Sequence, residues 1–176
     1  MDRKGDWIET YTGKQFWPLD PRPEDVCIED IARGLAMSCR YGGQVNKFYS
    51  VAEHAWLVSL CVPPQYALVG LLHDASEAYI SDIVRPVKRY IQGYATIEEN
   101  LMQCISERFG FEWPMPSIVK EIDNRMIVNE RAAVKGDTGF YWGEFGTALP
   151  ITIYGLEHDE AEYTFIDRFY KIMEDM

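Results

Sequence analysis

The stretch 72–82, LHDASEAYISD, places His73, Asp74 and Glu77 in a segment that is otherwise strongly apolar. Residues 65–80 are apolar nearly all round, which predicts a central, buried helix. Burying imidazole and carboxylate groups costs on the order of several kcal/mol unless they are paired or bind a metal. A divalent cation that carries a water satisfies these groups most simply. The stretch therefore indicates a metal-dependent hydrolase.

A second histidine, His54, lies on the helix that is predicted just before this stretch. That helix covers about residues 51–62, opens with the capping box Ser50-Val-Ala-Glu53 and stops at Pro63-Pro64. Consecutive helices joined by so short a turn lie side by side and antiparallel. We therefore expect His54 to lie within reach of the His-Asp pair on the next helix.

A fourth ligand should come from a helix that faces these two, and Asp123 is the best candidate. Its helical neighbours Val119, Met126 and Ile127 are apolar, so its carboxylate points toward an apolar face, where a lone Asp would be poorly solvated. Two imidazoles and two carboxylates suit Zn²⁺, Co²⁺, Mn²⁺ or Fe²⁺. The predicted cofactor is one divalent metal ion, with the ligands His54, His73, Asp74 and Asp123.

The remaining pattern predicts an all-α fold, a single helical bundle over residues 1–176. Three regions are expected: an extended N-terminal segment (1–24) with a hairpin over 6–19, a helical core that carries the metal site (25–135), and a loop followed by a C-terminal helix (136–176). Within the core, apolar spacing predicts a first helix from Ile28 that stops at Gly42-Gly43, a helix opened by the capping box Thr96-Ile-Glu-Glu99, and a helix capped by Ser117. The Gly- and aromatic-rich residues 137–156 are expected to form a loop. Phe165, Ile166, Phe169, Tyr170 and Met173 predict the apolar face of the last helix.

Composition limits the partners that the chain can have. The 176 residues carry 28 acidic and 17 basic side chains, a net charge of −11, which argues against a nucleic-acid polymer because polyanion binding needs a basic face. No apolar run approaches the roughly 20 residues of a membrane span, and the N-terminus lacks the apolar core of a signal peptide. We therefore expect a cytoplasmic protein with no membrane partner. The four cysteines show no CxxC spacing and are expected to be free thiols.

The metal-ligand pattern also carries a resemblance to a known family. The order His54…His73-Asp74…Asp123 resembles the H…HD…D signature of the HD-domain phosphohydrolases. His-Asp-Ala-Ser-Glu, followed by Asp82 and then Pro86-Val-Lys88, is similar to the motif of the 5′-deoxynucleotidases and of small phage and prophage HD hydrolases that act on deoxynucleotides. Residues 10–58 also resemble this phage and prophage group, and the resemblance covers about residues 10–135.

The resemblance implies roles for five further residues. Glu77 would be the general acid/base beside the nucleophilic water, on the same helix face as His73. Asp82 would position that water or assist proton transfer. Three side chains would contact the substrate: Arg40 the phosphate, Tyr41 the base or sugar, and Lys88 a further phosphate oxygen.

Simpler interpretations of these residues stay open. Glu77 could only orient a metal ligand, and Asp82 could cap a turn with Ser81. Arg40 could be a salt-bridge partner, and Lys88 an ordinary solvated lysine. Relatives of the phage and prophage type often carry a His where this chain has Gln44, which makes a metal role for that position doubtful.

The resemblance favours a 5′-deoxynucleotidase, which converts a dNMP to a deoxynucleoside and phosphate. A dNTP triphosphohydrolase that releases tripolyphosphate is the alternative, and a non-catalytic nucleotide-binding module is the alternative from another class. The chain has only three histidines, which disfavours a binuclear phosphodiesterase. By resemblance we also expect a homo-oligomer, encoded by a phage or prophage and acting in the host cytoplasm.

Overall fold

The structure is a computed structural model that describes residues 3–136 and 138–176, so expectations that touch Met1, Asp2 or Asp137 lie outside the described residues. The described residues are mostly helical, which confirms the all-α class. No helix among them is long and apolar enough to cross a membrane. The elements, in chain order, are β1 (Ile8–Glu9), β2 (Gln15–Phe16), α1 (Ile28–Met37), α2 (Val51–Cys61), α3 (Ala67–Leu72), α4 (Glu77–Ile80), α5 (Arg85–Lys88), α6 (Tyr94–Phe109), α7 (Ser117–Glu130) and α8 (His158–Glu174).

The predicted N-terminal hairpin is confirmed. Strands β1 and β2 pair antiparallel, with Ile8 opposite Phe16. Phe16 is fully buried and stacks on Tyr79 of α4, with ring centroids 3.9 Å apart. The hairpin therefore covers the helix that carries Glu77.

Helix α2 lies at the centre of the molecule. It contacts α1, α3, α7 and α8. One apolar cluster of buried side chains joins it to α1, α3, α6 and α8, and a second joins it to α7 and the segment 149–153. His54 is on this central helix and is fully buried.

The single helix predicted over residues 65–80 is wrong. Helix α3 ends at Leu72, residues 73–76 form a turn, and α4 begins at Glu77. Within the turn the backbone bonds span three residues, as in Glu77 N–H to the Asp74 carbonyl (3.0 Å). The cause is local: His73 Nδ1 donates to the Gly70 carbonyl (2.8 Å), the acceptor that the Asp74 N–H would use in a continuing α-helix.

The capping box predicted at the start of α2 is half correct. Ser50 caps the helix by accepting a hydrogen bond from the Glu53 N–H (3.0 Å). The Glu53 side chain does not return to Ser50. It accepts from three consecutive backbone N–H groups of a distant segment, those of Tyr154, Gly155 and Leu156.

Three other helix ends differ from the prediction. Helix α1 stops at Met37, because the chain beyond it pairs with residues 49–51 through the bridge Cys39–Ser50. Helix α6 begins at Tyr94, after Gly93 with φ 84°, so the box at Thr96 lies inside the helix. Ser117 is the first residue of α7, and Pro116 occupies the N-cap position instead.

A π-helical turn, Arg131–Lys135, follows α7 directly. The loop predicted over 137–156 comes next: residues 138–157 contain no helix or strand. Asn129 of α7 fixes this loop, because its side chain donates to the Leu149 carbonyl (2.9 Å) and accepts from the Leu149 N–H (2.8 Å). The last helix is confirmed, but its buried face is partly different. Phe165 and Phe169 are buried, whereas Tyr170 and Met173 are 48% and 39% exposed. The four cysteines are free thiols, as expected.

Candidate metal and phosphate site

The fold brings the four predicted metal ligands together. His54 Nε2 and His73 Nε2 lie 3.2 Å apart. Asp123 Oδ1 is 3.3 Å from the first nitrogen and 3.9 Å from the second. Asp74 Oδ2 is 3.2 Å from His73 Nε2 and 3.7 Å from His54 Nε2. Donor atoms of His54, His73 and Asp123 all lie within 4.8 Å of one another, and these three residues are buried, so this group could hold a metal ion.

The hydrogen bonds on the far side of each imidazole show what the cluster needs. His54 Nδ1 contacts a Glu130 carboxylate oxygen (2.7 Å), and His73 Nδ1 contacts the Gly70 carbonyl oxygen (2.8 Å). Both partners can only accept, so each Nδ1 carries its hydrogen and donates. In the neutral imidazoles, both Nε2 lone pairs then face each other and two carboxylate oxygens. Lone pairs that converge in this way repel unless a cation lies between them, so the donor set fits a divalent metal.

Glu130, the last residue of α7, is a site residue that was not predicted. It is fully buried and accepts hydrogen bonds from Tyr41, Tyr49 (3.1 Å) and His54. Burial alone would raise the pKa of Glu130, but the charges of Arg40 and His54 lower it to about 2. An ionised Glu130 fixes the ring and the tautomer of His54. The signal was available, because Glu130 follows Asp123 by two helical turns and so lies on the same apolar face.

Arg40 lies between two carboxylates of the site. Its Nε is 3.1 Å from Glu130 Oε1, and its NH1 is 3.6 Å from Asp74 Oδ2. The interpretation of Arg40 as a salt-bridge partner is therefore confirmed. Arg40 also lines the cavity described next, and its contact with a phosphate stays a prediction.

A cavity of about 590 Å³ opens over the cluster. All the residues predicted to act in catalysis or to bind the substrate line it, together with Asp74 and Asp123 of the metal cluster. Its lining residues are Arg40, Tyr41, Gln44, Asp74, Glu77, Asp82, Ile83, Val84, Arg85, Pro86, Lys88, Lys120, Asp123, Ile127, Lys135, Trp142 and Phe145.

Glu77 is a buried acid with a free oxygen. The residue is 5% exposed, and its Oε2 is buried without a hydrogen-bond partner. Its Oε1 lies 3.6 Å from Lys88 Nζ, and Lys88 also pairs with Glu98. Burial, with the nearby Asp74 and Asp82 carboxylates, raises the pKa of Glu77 well above its ordinary value. The raised pKa favours the protonated carboxyl, so Glu77 is suited to act as a proton donor.

Asp82 follows a strained residue. Ser81 has φ 70° and ψ 151°, a conformation that side-chain-bearing residues rarely adopt, and its carbonyl accepts from the Tyr94 hydroxyl (3.1 Å). This turn ends α4 and places Asp82 in the cavity lining. Burial raises the pKa of Asp82, Asp74 adds to this rise, and Arg40 opposes it. Outliers of this kind often occur at functional sites, so the strain supports a role for Asp82 beyond capping a turn.

Basic side chains collect around the cavity of this acidic protein. Lys88 was expected there, whereas Arg85, Lys120 and Lys135 were not. Lys120 Nζ lies 2.8 Å from Asp123 Oδ2, which leaves Oδ1 of the same carboxylate directed at the histidines. Arg85 and Lys88 are the two ends of α5, whereas Lys120 comes from α7 and Lys135 from the π-helical turn Arg131–Lys135, so only the fold brings all four together.

Tyr41 lies in the cavity wall with a left-handed backbone (φ 58°). Its hydroxyl donates to Glu130, and its ring lies 6.0 Å from that of Trp142. The hydroxyl is therefore already used, and only the ring is left to contact a base or sugar. Gln44, the position that departs from the family pattern, lines the cavity, and its carbonyl accepts from Lys135.

Comparison with known proteins places the chain among close relatives. No family model matches it. It is 36% identical to the uncharacterised protein YfdR of Escherichia coli (strain K12) over 172 residues, which cover 96% of each chain. It is also 34% identical over 165 residues to an uncharacterised protein of Rhodobacter capsulatus, with 85% of this chain and 84% of that relative covered. The chain therefore belongs to the family that includes YfdR.

Proposed function

We propose that this protein is a metal-dependent phosphohydrolase of the HD-domain type that acts on deoxynucleotides. The activity we propose is that of a 5′-deoxynucleotidase, in which a dNMP and water give a deoxynucleoside and orthophosphate. His54, His73, Asp74 and Asp123 would hold one divalent cation, such as Zn²⁺, Co²⁺, Mn²⁺ or Fe²⁺. When bound, such a cation supplies Lewis-acid chemistry, since it polarises a phosphoryl oxygen and makes a water more acidic.

One observation carries the proposal: two Nε2 lone pairs and two carboxylate oxygens converge beside a cavity that has both buried acids and basic side chains. A metal site that only stabilised the fold would need neither a neighbouring cavity nor buried acids beyond the metal ligands.

The acids supply the proton chemistry in this proposal. Glu77 holds a proton at its buried carboxyl and delivers it to the leaving 5′ oxygen of the sugar. Asp82, which lines the same cavity, orients the attacking water and takes up the proton that this water loses, and this proton restores that of Glu77 at the end of each turnover. The raised pKa values of both acids support this assignment, because burial and neighbouring carboxylates favour their protonated forms more strongly than in an ordinary surface carboxyl.

The basic residues bind the phosphate in this proposal. Arg40 and Lys88 lie beside the cluster and the acids, and Arg85, Lys120 and Lys135 add positive charge to the same cavity. Positive charge placed where the transition state gains negative charge lowers the barrier without rearranging solvent. It also concentrates an anionic substrate at one place on a protein of net charge −11.

Product analysis tests the proposal. Metal-loaded protein is incubated separately with the four dNMPs and the four dNTPs, and ³¹P NMR identifies the phosphorus product. Orthophosphate from a dNMP is the expected result. If the metal is shown to be bound and none of the eight substrates gives a product, the proposed enzymatic function is overturned and a nucleotide-binding module is favoured.

The number of basic side chains favours a second candidate, a dNTP triphosphohydrolase. A monophosphate carries two negative charges, and five basic residues line the cavity: Arg40, Arg85, Lys88, Lys120 and Lys135. A longer phosphate chain would use more of them. Tripolyphosphate as the product of a dNTP, without orthophosphate from any dNMP, would select this reaction.

A further inference from the structure

A second cavity adjoins the first one. It has a volume of about 480 Å³, and Ile127, Trp142 and Phe145 line both cavities. The second cavity lies away from the cluster, since none of His54, His73, Asp74 and Asp123 lines it. A ligand bound at the cluster can therefore extend along a wall of aromatic and aliphatic side chains.

Two cations lie near the indole of Trp142. The Arg131 guanidinium carbon lies 5.7 Å from the centre of the ring, and Lys135 Nζ lies 5.8 Å from it. Both come from a single π-helical turn, Arg131–Lys135, that follows α7 directly. Such turns are rare and occur often at functional sites. A positioned indole beside a phosphate-binding cavity is the arrangement that stacks a flat ring.

We propose that Trp142, together with Phe145, forms a nucleobase subsite: the base of a deoxynucleotide stacks on the Trp142 indole while its 5′-phosphate reaches the metal cluster. This inference rests on the proposed function and adds a specificity-determining residue to it. The neighbouring aromatic Tyr141 has no such role, because it is 78% exposed and lines neither cavity.

The test compares a nucleotide with a substrate that has no base. The variants are Trp142→Ala, Trp142→Phe and the matched control Tyr141→Ala. The substrates are the dNMP that is hydrolysed fastest and 2-deoxyribose 5-phosphate. We expect Trp142→Ala to raise KM for the dNMP about tenfold or more, as the loss of one base–aromatic stack does. The kcat of this variant and its kinetics with 2-deoxyribose 5-phosphate should stay unchanged, Trp142→Phe should recover most of the loss, and Tyr141→Ala should match the native protein.

Two results would overturn the subsite. If Trp142→Ala raises KM equally for both substrates, the ring only stabilises the loop. If it changes neither KM, no base stacks on this ring. Should the native protein hydrolyse no nucleotide, the proposed function fails separately. Isothermal calorimetry with each dNMP then tests the subsite without turnover. About tenfold weaker dNMP binding by Trp142→Ala than by Tyr141→Ala supports the subsite. Equal binding by the two variants, or no binding by the native protein, overturns it.

Discussion

At the scale of single residues, each of the three buried residues that could hold a metal ion uses one polar atom for a contact within the protein and directs the other toward the cluster. His54 and His73 each use Nδ1 for a protein acceptor and direct Nε2 inward. Asp123 does the same, with Oδ2 at Lys120 and Oδ1 at the histidines. The outer contacts therefore hold the inner atoms in position before any ligand arrives.

The first prediction concerns Glu77. Glu77→Gln keeps the size of the side chain but removes its titratable proton, so we expect turnover to fall about 100-fold or more while one metal per chain is retained. The control is Glu98→Gln, which changes the other carboxylate beside Lys88 and should leave most of the activity. Steady-state kinetics and metal analysis of both variants make the comparison, and an active Glu77→Gln would remove Glu77 from the mechanism.

The second prediction concerns Glu130. Glu130→Gln removes the charge that orients His54 and pairs with Arg40, so we expect metal affinity to fall about 10- to 100-fold. Competition with a metal-binding dye measures the affinity. Tyr49→Phe is the matched control, because it removes one hydrogen bond to Glu130 and leaves the carboxylate charged. Unchanged affinity in Glu130→Gln would show that His54 does not depend on this carboxylate.

Sequence reasoning found the residues whose environment is set locally and missed those brought together by the fold. Asp123 was predictable because its neighbours one turn away are apolar. Glu130 could have been predicted by the same periodicity, two turns later. Lys135 and Trp142 could not, because their positions depend on a π turn and on a loop without periodic pattern.

At the scale of elements, the distance between α2 and α3 sets the distance between the two histidines. Gly70 lies where these helices approach each other: a Cβ added there would come within 3.0 Å of Val62 Cγ2 and 3.2 Å of Ser59 Cα. The glycine thus allows the close packing that brings His54 and His73 within 3.2 Å.

The third prediction follows from this contact. Gly70→Ala should push α3 away from α2, lowering stability by about 1–3 kcal/mol through overpacking and weakening metal binding at the same time. Gly34→Ala is the matched control: its Cβ would meet Ala78 Cβ at 2.8 Å between α1 and α4, away from the histidine pair. Denaturant unfolding and metal titration should show a stability loss in both variants and a clear affinity loss only in Gly70→Ala. Equal metal affinity in the two variants would contradict the prediction.

The predicted helices are confirmed where the apolar period was strong, and the errors lie at their ends. Helix α2 was predicted to within a residue at each end, because a cap and two prolines bound it. The break after Leu72 was missed because a side chain, His73, competes for a backbone acceptor, and no periodicity reveals such competition.

At the scale of the whole molecule, one buried carboxylate joins segments about a hundred residues apart. Glu53 of α2 is 1% exposed and accepts three backbone N–H groups from residues 154–156 at 2.7–3.0 Å. The end of the loop after α7 is therefore fixed to the central helix just before α8 begins.

The fourth prediction concerns this contact. Glu53→Ala would leave three N–H groups without their acceptor, so we expect the free energy of unfolding to fall by about 2–4 kcal/mol and residues 154–156 to lose protection from hydrogen exchange. The exposed Glu112→Ala serves as the control and should change neither quantity. Normal protection of 154–156 in Glu53→Ala would show that other contacts hold the segment.

The convergence of His54, His73 and Asp123 also has a thermodynamic consequence. A cation bound to all three would act as a cross-link between α2, the turn after α3, and α7, so binding energy becomes folding energy by linkage. Zinc at about 100 times its dissociation constant should add about 2.7 kcal/mol to the stability, and the midpoint of thermal unfolding should rise with zinc and fall with a chelator. His54→Ala should abolish the shift, whereas an equal shift in that variant would place the zinc elsewhere. We therefore expect metal shortage to reduce the amount of folded protein as well as its activity.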